Sequence, residues 1–531
     1  MSHRRKVTLA ALLVVGLGLA RPVAAQPAEL EADAGTAPEA ETASSDEGSA
    51  TPADEPPPPR TDGADVAPSA AGAEREEAPV DPGSSTAATG PAAQAPGGDE
   101  TGRFVFGSYG RIGIASDLRG GLGREADLVG GGTRGDRYDL SSYIELQLAR
   151  HDRILGVRTD VVATLALSGE PFHLSGEFEV DLALRNAYVE ASDVGTPGLS
   201  LWVGSRMWRG DDIYLLNFWP LDELNTVGGG VGYRRDPWRV DLAVGMSRLL
   251  GGGYQYQEVA VPSTGFVPTR VVLLDRPRVI GALRGEYVWR PGSTGPGLKL
   301  VLYGEAHALA SGDRRGPDGS TVEQLPADDG FVVGAEVSAF LGERDTFANL
   351  FVRYGWGLGA YDEIGLPFGL DTFKQASRAR ELLIALSANG EWGPFMLQAA
   401  GFYRYFRDAD PNVFDRDDLA EWIVVARPAV AFARIFGFAA EASLQGTASS
   451  LLDTSTGETR APSLFRFALM PYLSPTGPGS FRRPHLFGVY AVTLRSEDAR
   501  AQYPDDDVFS QRDVEHYLGI GAEWWFDSAY R

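Results

Sequence analysis

Residues 104–114 read FVFGSYGRIGI, and their alternation decides the fold class. In an extended chain Phe104, Phe106, Ile112 and Ile114 fall on one face, and Tyr109 and Arg111 fall on the other. A water-soluble sandwich would turn the apolar face inward. A membrane barrel turns it to lipid and leaves the tyrosine and arginine facing an aqueous lumen. The pattern recurs at Tyr143-Ile144-Glu145-Leu146-Gln147-Leu148 and across residues 518–526. In the latter, Leu518, Ile520, Ala522, Trp524 and Phe526 share one face, and Glu523 and Trp525 lie on the other.

Further strands are expected at 158–168, 199–206, 238–247, 280–289, 297–309, 331–340, 347–354, 380–388, 395–405, 422–432, 437–445, 464–472 and 485–494. Turns such as Arg235-Asp236-Pro237, Gly312-Asp313 and Asp410-Pro411 separate them, and no long stretch carries a clean helical stripe. A membrane strand with its share of turn and loop takes about 20–25 residues, which gives about 16–20 strands. Long gaps rich in glycine and charge (115–140, 248–279 and 310–330) suit external loops, and Phe526 is the aromatic end of a closing strand. These features predict an all-β, transmembrane antiparallel β-barrel, closed so that no strand edge is left unpaired.

The chain divides into three parts. Residues 1–25 have the form of a secretory signal: Arg4, Arg5 and Lys6, then TLAALLVVGLGLA, then Val23-Ala24-Ala25 before Gln26. Residues 26–102 contain no aromatic residue, 17 acids against 2 arginines, and 12 prolines, so they cannot bury enough apolar surface to offset chain entropy. They are expected to form a disordered acidic tether, a solvated tail or a cell-wall contact. Residues 103–531 hold all 54 aromatic residues, with 42 basic residues against 55 acids, which gives no nucleic-acid footprint. The absence of cysteine removes disulfides, thiol catalysis and thiolate metal sites.

Ordered matches along residues 103–531 resemble the maltoporin-type sugar porins of Gram-negative outer membranes. Tyr109 and Arg111 match the opening strand, and SSYIELQL matches the second with Tyr143 and Glu145. LALRNAYVEA places Arg185, and LWVGSRMWRGDDIYLLNFWPLD, the best single stretch, places Asp212 and Trp219. TFANLFVRY places Phe347, SFRRP places Phe481, and the last strand places Trp525. The resemblance implies an 18-stranded homotrimeric barrel whose lumen carries a spiral of rings flanked by ionisable side chains. Tyr109, Tyr143, Phe347, Phe481 and Trp525 would form the ring track. Arg111, Glu145, Arg185 and Asp212 would form the polar track, with Trp219 at the narrowest point. The implied partners are a sugar and membrane lipid, with no cofactor.

The chain departs from that family pattern at several places. Asn217 replaces an acid, Trp219 replaces a tyrosine, and the arginine before Asp212 is displaced to Arg206 or Arg209. Phe172 or Phe178 stands in for a latch-loop tryptophan, and a loop disulfide is impossible. Enzyme readings find little support. The six histidines lack metal-ligand spacing, Ser142 and Ser168 have no partner at a catalytic spacing, and Gly130-Gly131-Gly132-Thr133 lacks the lysine of a phosphate loop. The rivals to a sugar conduit are a general diffusion porin and a plugged structural barrel.

Overall fold

In a computed structural model, the described residues are 102–528 apart from 127, 129–136, 140–141, 171–178, 248–255, 262–268, 293–294, 316–319, 343–345, 362–369, 410–417, 451 and 453–456. The expected signal and tether, Phe172, Phe178 and the 130–133 loop lie outside them.

The strands are β1 (Arg103–Ser116), β2 (Tyr143–Ile154), β3 (Val157–Glu170), β4 (Glu179–Ser192), β5 (Leu199–Arg209), β6 (Glu223–Arg235), β7 (Trp238–Ser247), β8 (Tyr256–Val261), β9 (Thr269–Asp275), β10 (Arg278–Trp289) and β11 (Gly297–Leu309). They continue with β12 (Gly312–Arg315), β13 (Thr321–Leu325), β14 (Asp328–Leu341), β15 (Thr346–Gly357), β16 (Arg380–Trp392), β17 (Phe395–Arg407), β18 (Asp418–Ala431), β19 (Phe436–Ser449), β20 (Ser463–Leu473), β21 (His485–Arg495) and β22 (Val514–Phe526). Eighteen of them form one antiparallel sheet, each pairing with the next in chain order. Pairing of β22 with β1, from Ser108↔Phe526 to Ser116↔Leu518, closes the sheet into a barrel. β8–β9 and β12–β13 are separate hairpins inside the gaps expected to be plain loops.

The barrel is apolar outside and polar inside. Val203 and Leu302 are each 71% exposed and Ile520 is 67% exposed, while Glu421 and Gln445 are fully buried. Water would penalise such an arrangement, and a lipid surround favours it. Among the described residues no helix is long and apolar enough to cross a membrane.

All the strands expected from alternation are present, and two further barrel strands, β4 and β6, escaped it. β4 carries a bulge: Thr164 pairs with Asn186 and Leu165 with Leu184, which leaves Arg185 as the extra residue. The alternation therefore changes phase within the strand. β6 carries Gly228-Gly229-Gly230, which have no side chains to report a face.

The seam between first and last strands is tight. Outward-facing Trp524 lies over Gly110 and donates its indole N–H to the Ser108 hydroxyl at 3.0 Å. A side chain at Gly107 would collide with the Asp527 carbonyl oxygen. Gly107→Ala is expected to part the seam at a cost of about 1–3 kcal/mol. It should lower the yield of folded, heat-modifiable barrel on a gel, and a wild-type yield would contradict the close approach.

Candidate functional site: the lumen and its lining

Nine connections at one end of the barrel, among them 117–142 and 210–222, are mostly long. Most of those at the other end are short, such as the two-residue turns at 155–156 and 393–394. Parts of both ends fold inward. From the long-loop end, residues 210–222 enter the lumen as a compact turn. Ile213 and Phe218 exchange backbone N–H···O bonds, at 2.6 and 3.4 Å, around a 3-10 turn at Tyr214–Leu216. Asn217 closes that turn in the left-handed region, φ +49°, where asparagine is one of the few tolerated side chains.

Ile213, Leu215, Leu216, Phe218 and Leu221 of this segment pack on the inner wall. They meet Ile280 of β10, Val301 of β11, Val332 of β14, Phe351 of β15, Leu383 of β16, Phe402 of β17 and Ile423 of β18. The inward positions that meet the segment are therefore apolar, since a folded loop and not water covers them. Ion pairs fix both ends of the segment. Asp211 pairs with Lys299, which also meets Glu336 at 2.7 Å, and Asp222 pairs with Arg284 and accepts the Gly210 N–H at 2.8 Å.

The opposite arc holds the open lumen, a cavity with about 740 Å³ of empty space including its mouth. Strands β1, β17–β22 and the inward segments line it. Glu523 lines it, clamped from both ends of the barrel. Arg137, from the β1–β2 loop, donates Nε–H to one carboxylate oxygen at 2.8 Å. Arg483, from the 474–484 turn, donates Nε–H to the other at 2.8 Å, and the Tyr214 hydroxyl donates to that same oxygen at 2.6 Å. Arg137 also donates to Asn217 Oδ1 at 3.0 Å and to the Tyr109 hydroxyl, and Arg483 contacts the Tyr214 hydroxyl. Asn217, at the position where the resemblance expects an acid, thus accepts from an arginine as an acid would.

The expected site residues divide by element. Cross-strand register alone places Tyr109 opposite Glu145 and Trp525, and Arg111 opposite Tyr143 and Glu523. The Tyr143 hydroxyl donates to Glu145 at 2.5 Å. Arg185, delivered by its bulge, meets Glu145 at 3.2 Å and also contacts Tyr143. Arg111 lies 5.4 Å from the Tyr143 ring centre and donates to the Tyr109 hydroxyl at 3.4 Å.

The rings form a connected chain. Tyr143 and Tyr109 are 6.1 Å apart, and both cluster with Trp219 and Trp525. Trp525 then meets Tyr214 at 6.2 Å, Tyr214 meets Phe481 at 5.5 Å, and Phe481 stacks on Phe347 at 6.1 Å. Tyr143, Trp525, Phe481 and Phe347 keep part of their surface exposed.

Two residues sit deeper than a water-facing platform would. Tyr109 is fully buried, covered by its ring neighbours and by the Arg137 guanidinium. Trp219 is buried beneath Arg209, whose guanidinium lies 3.8 Å from the ring centre. Of the two displaced-arginine candidates, Arg209 pairs with Glu223 at 2.6 Å and Arg206 with Glu190 at 2.8 Å. Asp212 is half-buried at the entry to the inward loop, next to Asp211, which pairs with Lys299.

Sequence reasoning did not select Arg137, Tyr214, Arg427 or Arg483. Arg427, on β18, follows the inward-facing Glu421, Ile423 and Val425 at a two-residue spacing, a signal that was available. Arg483 lies in the SFRRP stretch beside Phe481. Arg137 sits in a loop, where no periodicity exists to read.

The LamB porin family model matches residues 104–526. The chain belongs to the LamB porin family. It is an outer-membrane β-barrel channel rather than an enzyme. No curated protein sequence matches it. Solved structures similar to this porin include Pseudomonas aeruginosa OccD3 (OpdP), with 9% identity, 81% of this chain and 93% of that one covered, and a TM-score of 0.39. They also include Pseudomonas aeruginosa OccK2 (OpdF) in complex with glucuronate, at 11% identity, 80% and 98% coverage and a TM-score of 0.36. OmpTdeltaL8 of Vibrio cholerae matches at 9% identity, 80% and 100% coverage and a TM-score of 0.35. In this LamB porin the 210–222 segment packs on part of the inner wall, and the cavity lies at the Glu523 clamp, where Arg111 meets the Tyr143 ring and Arg483 the Trp525 ring.

Proposed function

We propose that this porin passes saccharides by passive diffusion along the rings Tyr143, Trp525, Phe481 and Phe347. The observation that carries the reading is the unbroken chain of ring contacts, parts of it exposed, with Arg111, Glu145 and Arg185 alongside. A pyranose has apolar C–H faces that rings bury and hydroxyl edges that charged groups hydrogen-bond as water leaves. Many weak, similar sites suit transport, since the solute must also depart. Tyr109 and Trp219 buttress the exposed rings, and Asp212 belongs to the polar side.

In this reading the porin is a homotrimer in outer-membrane lipid, open to ions when no sugar is bound. The segment 26–102 precedes β1 at the short-turn end, the periplasmic end in barrels of this type. It would therefore lie in the periplasm, within reach of the cell wall.

Titration of single-channel current in a planar bilayer with maltodextrins and other oligosaccharides tests the conduit. Saturable, reversible block is expected. Trp525→Ala and Phe481→Ala should each weaken it about 5-fold, equivalent to about 1 kcal/mol of lost ring contact. An open channel that no saccharide blocks would identify a general diffusion porin, and absent conductance a plugged barrel.

A further inference from the structure

The lumen cavity has a charge opposite in sign to that of the chain. Residues 103–531 carry an excess of acids, yet Arg111, Arg137, Arg427 and Arg483 line this cavity against one lining carboxylate, Glu523. Acids just behind the lining do not restore the balance. Glu441 holds Arg427 at 2.5 Å, Glu145 is matched by Arg185, and Glu391 accepts the Ser480 N–H at 2.9 Å. Arg466, 5.0 Å from the Tyr138 ring centre, adds a further cation. Four guanidinium groups thus line the cavity against one carboxylate, and with the neighbours behind the lining the count is six against four.

A low-dielectric wall focuses such a field into the passage, where it raises the local concentration of anions and repels cations. Crowding guanidinium groups costs stability unless counter-charge offsets it, and a transient anion supplies that counter-charge. Tyr472 and Phe487 line the same cavity, so apolar faces and guanidinium forks are presented together. A carboxylate fits the fork with two parallel hydrogen bonds, and a sugar ring fits the aromatic faces.

We propose that the preferred solute is an acidic saccharide, a sugar ring bearing a carboxylate, singly or as a short oligomer. This rests on the saccharide reading above and names its substrate class. The ring chain accounts for the sugar, and the arginine excess accounts for the acid.

The purified porin in a planar bilayer provides the test. A potassium chloride gradient is applied first, and the current is then titrated with oligogalacturonate and with neutral maltodextrin of equal length. The expected results are a reversal potential on the anion-selective side and block by oligogalacturonate at concentrations at least tenfold lower. Arg111→Gln should bring the two blocking concentrations closer together. Equal block by both oligomers overturns the acidic preference and leaves the saccharide reading standing. Block by neither overturns both, and a cation-selective reversal potential overturns the acidic preference directly.

Discussion

Glu523→Ala is expected to cost the barrel about 3–5 kcal/mol, the penalty for leaving buried charges without their partner. The magnitude follows from what converges on that carboxylate. Arg137 and Arg483 are both buried, and each donates to a different oxygen, while the Tyr214 hydroxyl shares one of them. Removing the acceptor strands two guanidinium groups at once. Glu523→Gln keeps the shape and one acceptor oxygen but no charge, so it should lose less. The cost should appear as a lower midpoint of urea or thermal unfolding, read from the electrophoretic shift of the folded barrel. A functional change should accompany it, since Arg137 and Arg483 tether a loop from one end and a turn from the other. With both released, single-channel conductance should rise and become noisy. An alanine variant that unfolds at the wild-type midpoint would show that the clamp adds nothing to stability.

Freeing the 210–222 segment should have the largest effect on the channel itself. Two kinds of force hold the segment, and their magnitudes differ. Ile213, Leu215, Leu216, Phe218 and Leu221 are each worth about 1.5–3 kcal/mol when fully buried. The ion pairs Asp211–Lys299 and Asp222–Arg284 are partly offset by desolvation, so their net contribution is smaller. Loss of the ion pairs alone, in Asp211→Ala/Asp222→Ala, should therefore give brief excursions to higher conductance without permanent opening. Adding Phe218→Ala, which removes about 3–5 kcal/mol of packing against Phe402, should make the wide state dominant, with conductance raised about twofold or more. Single-channel recordings distinguish the two variants. If the triple variant conducts like wild type, the segment does not define the passage.

Much of the barrel was legible because a lipid-facing wall imposes a strict rule on every second residue. Phe104, Phe106 and Ile114 turn outward and Tyr109 inward, as their two-residue spacing requires. The same rule, applied to neighbouring strands, set Glu523 and Trp525 on the lumen side, where register then brought them opposite Arg111 and Tyr109. It failed where something interrupts the period. Arg185 sits on a bulge, and the glycines of β6 carry no side chains.

The amino-acid order therefore sufficed for the barrel, its closing strand, and the pairs Tyr109 with Arg111, Tyr143 with Glu145 and Glu523 with Trp525. Alternation acts between residues two apart, and a single chain displays it completely. The burial of Tyr109 and Trp219, the arginine clamp on Glu523 and the packing of the 210–222 segment come from contacts that a two-residue period does not record, most of them between residues far apart in the chain. Arg137, Tyr214 and Arg483 reach Glu523 only once the sheet has closed and two connections have folded inward, and no local pattern records which loop will enter a lumen.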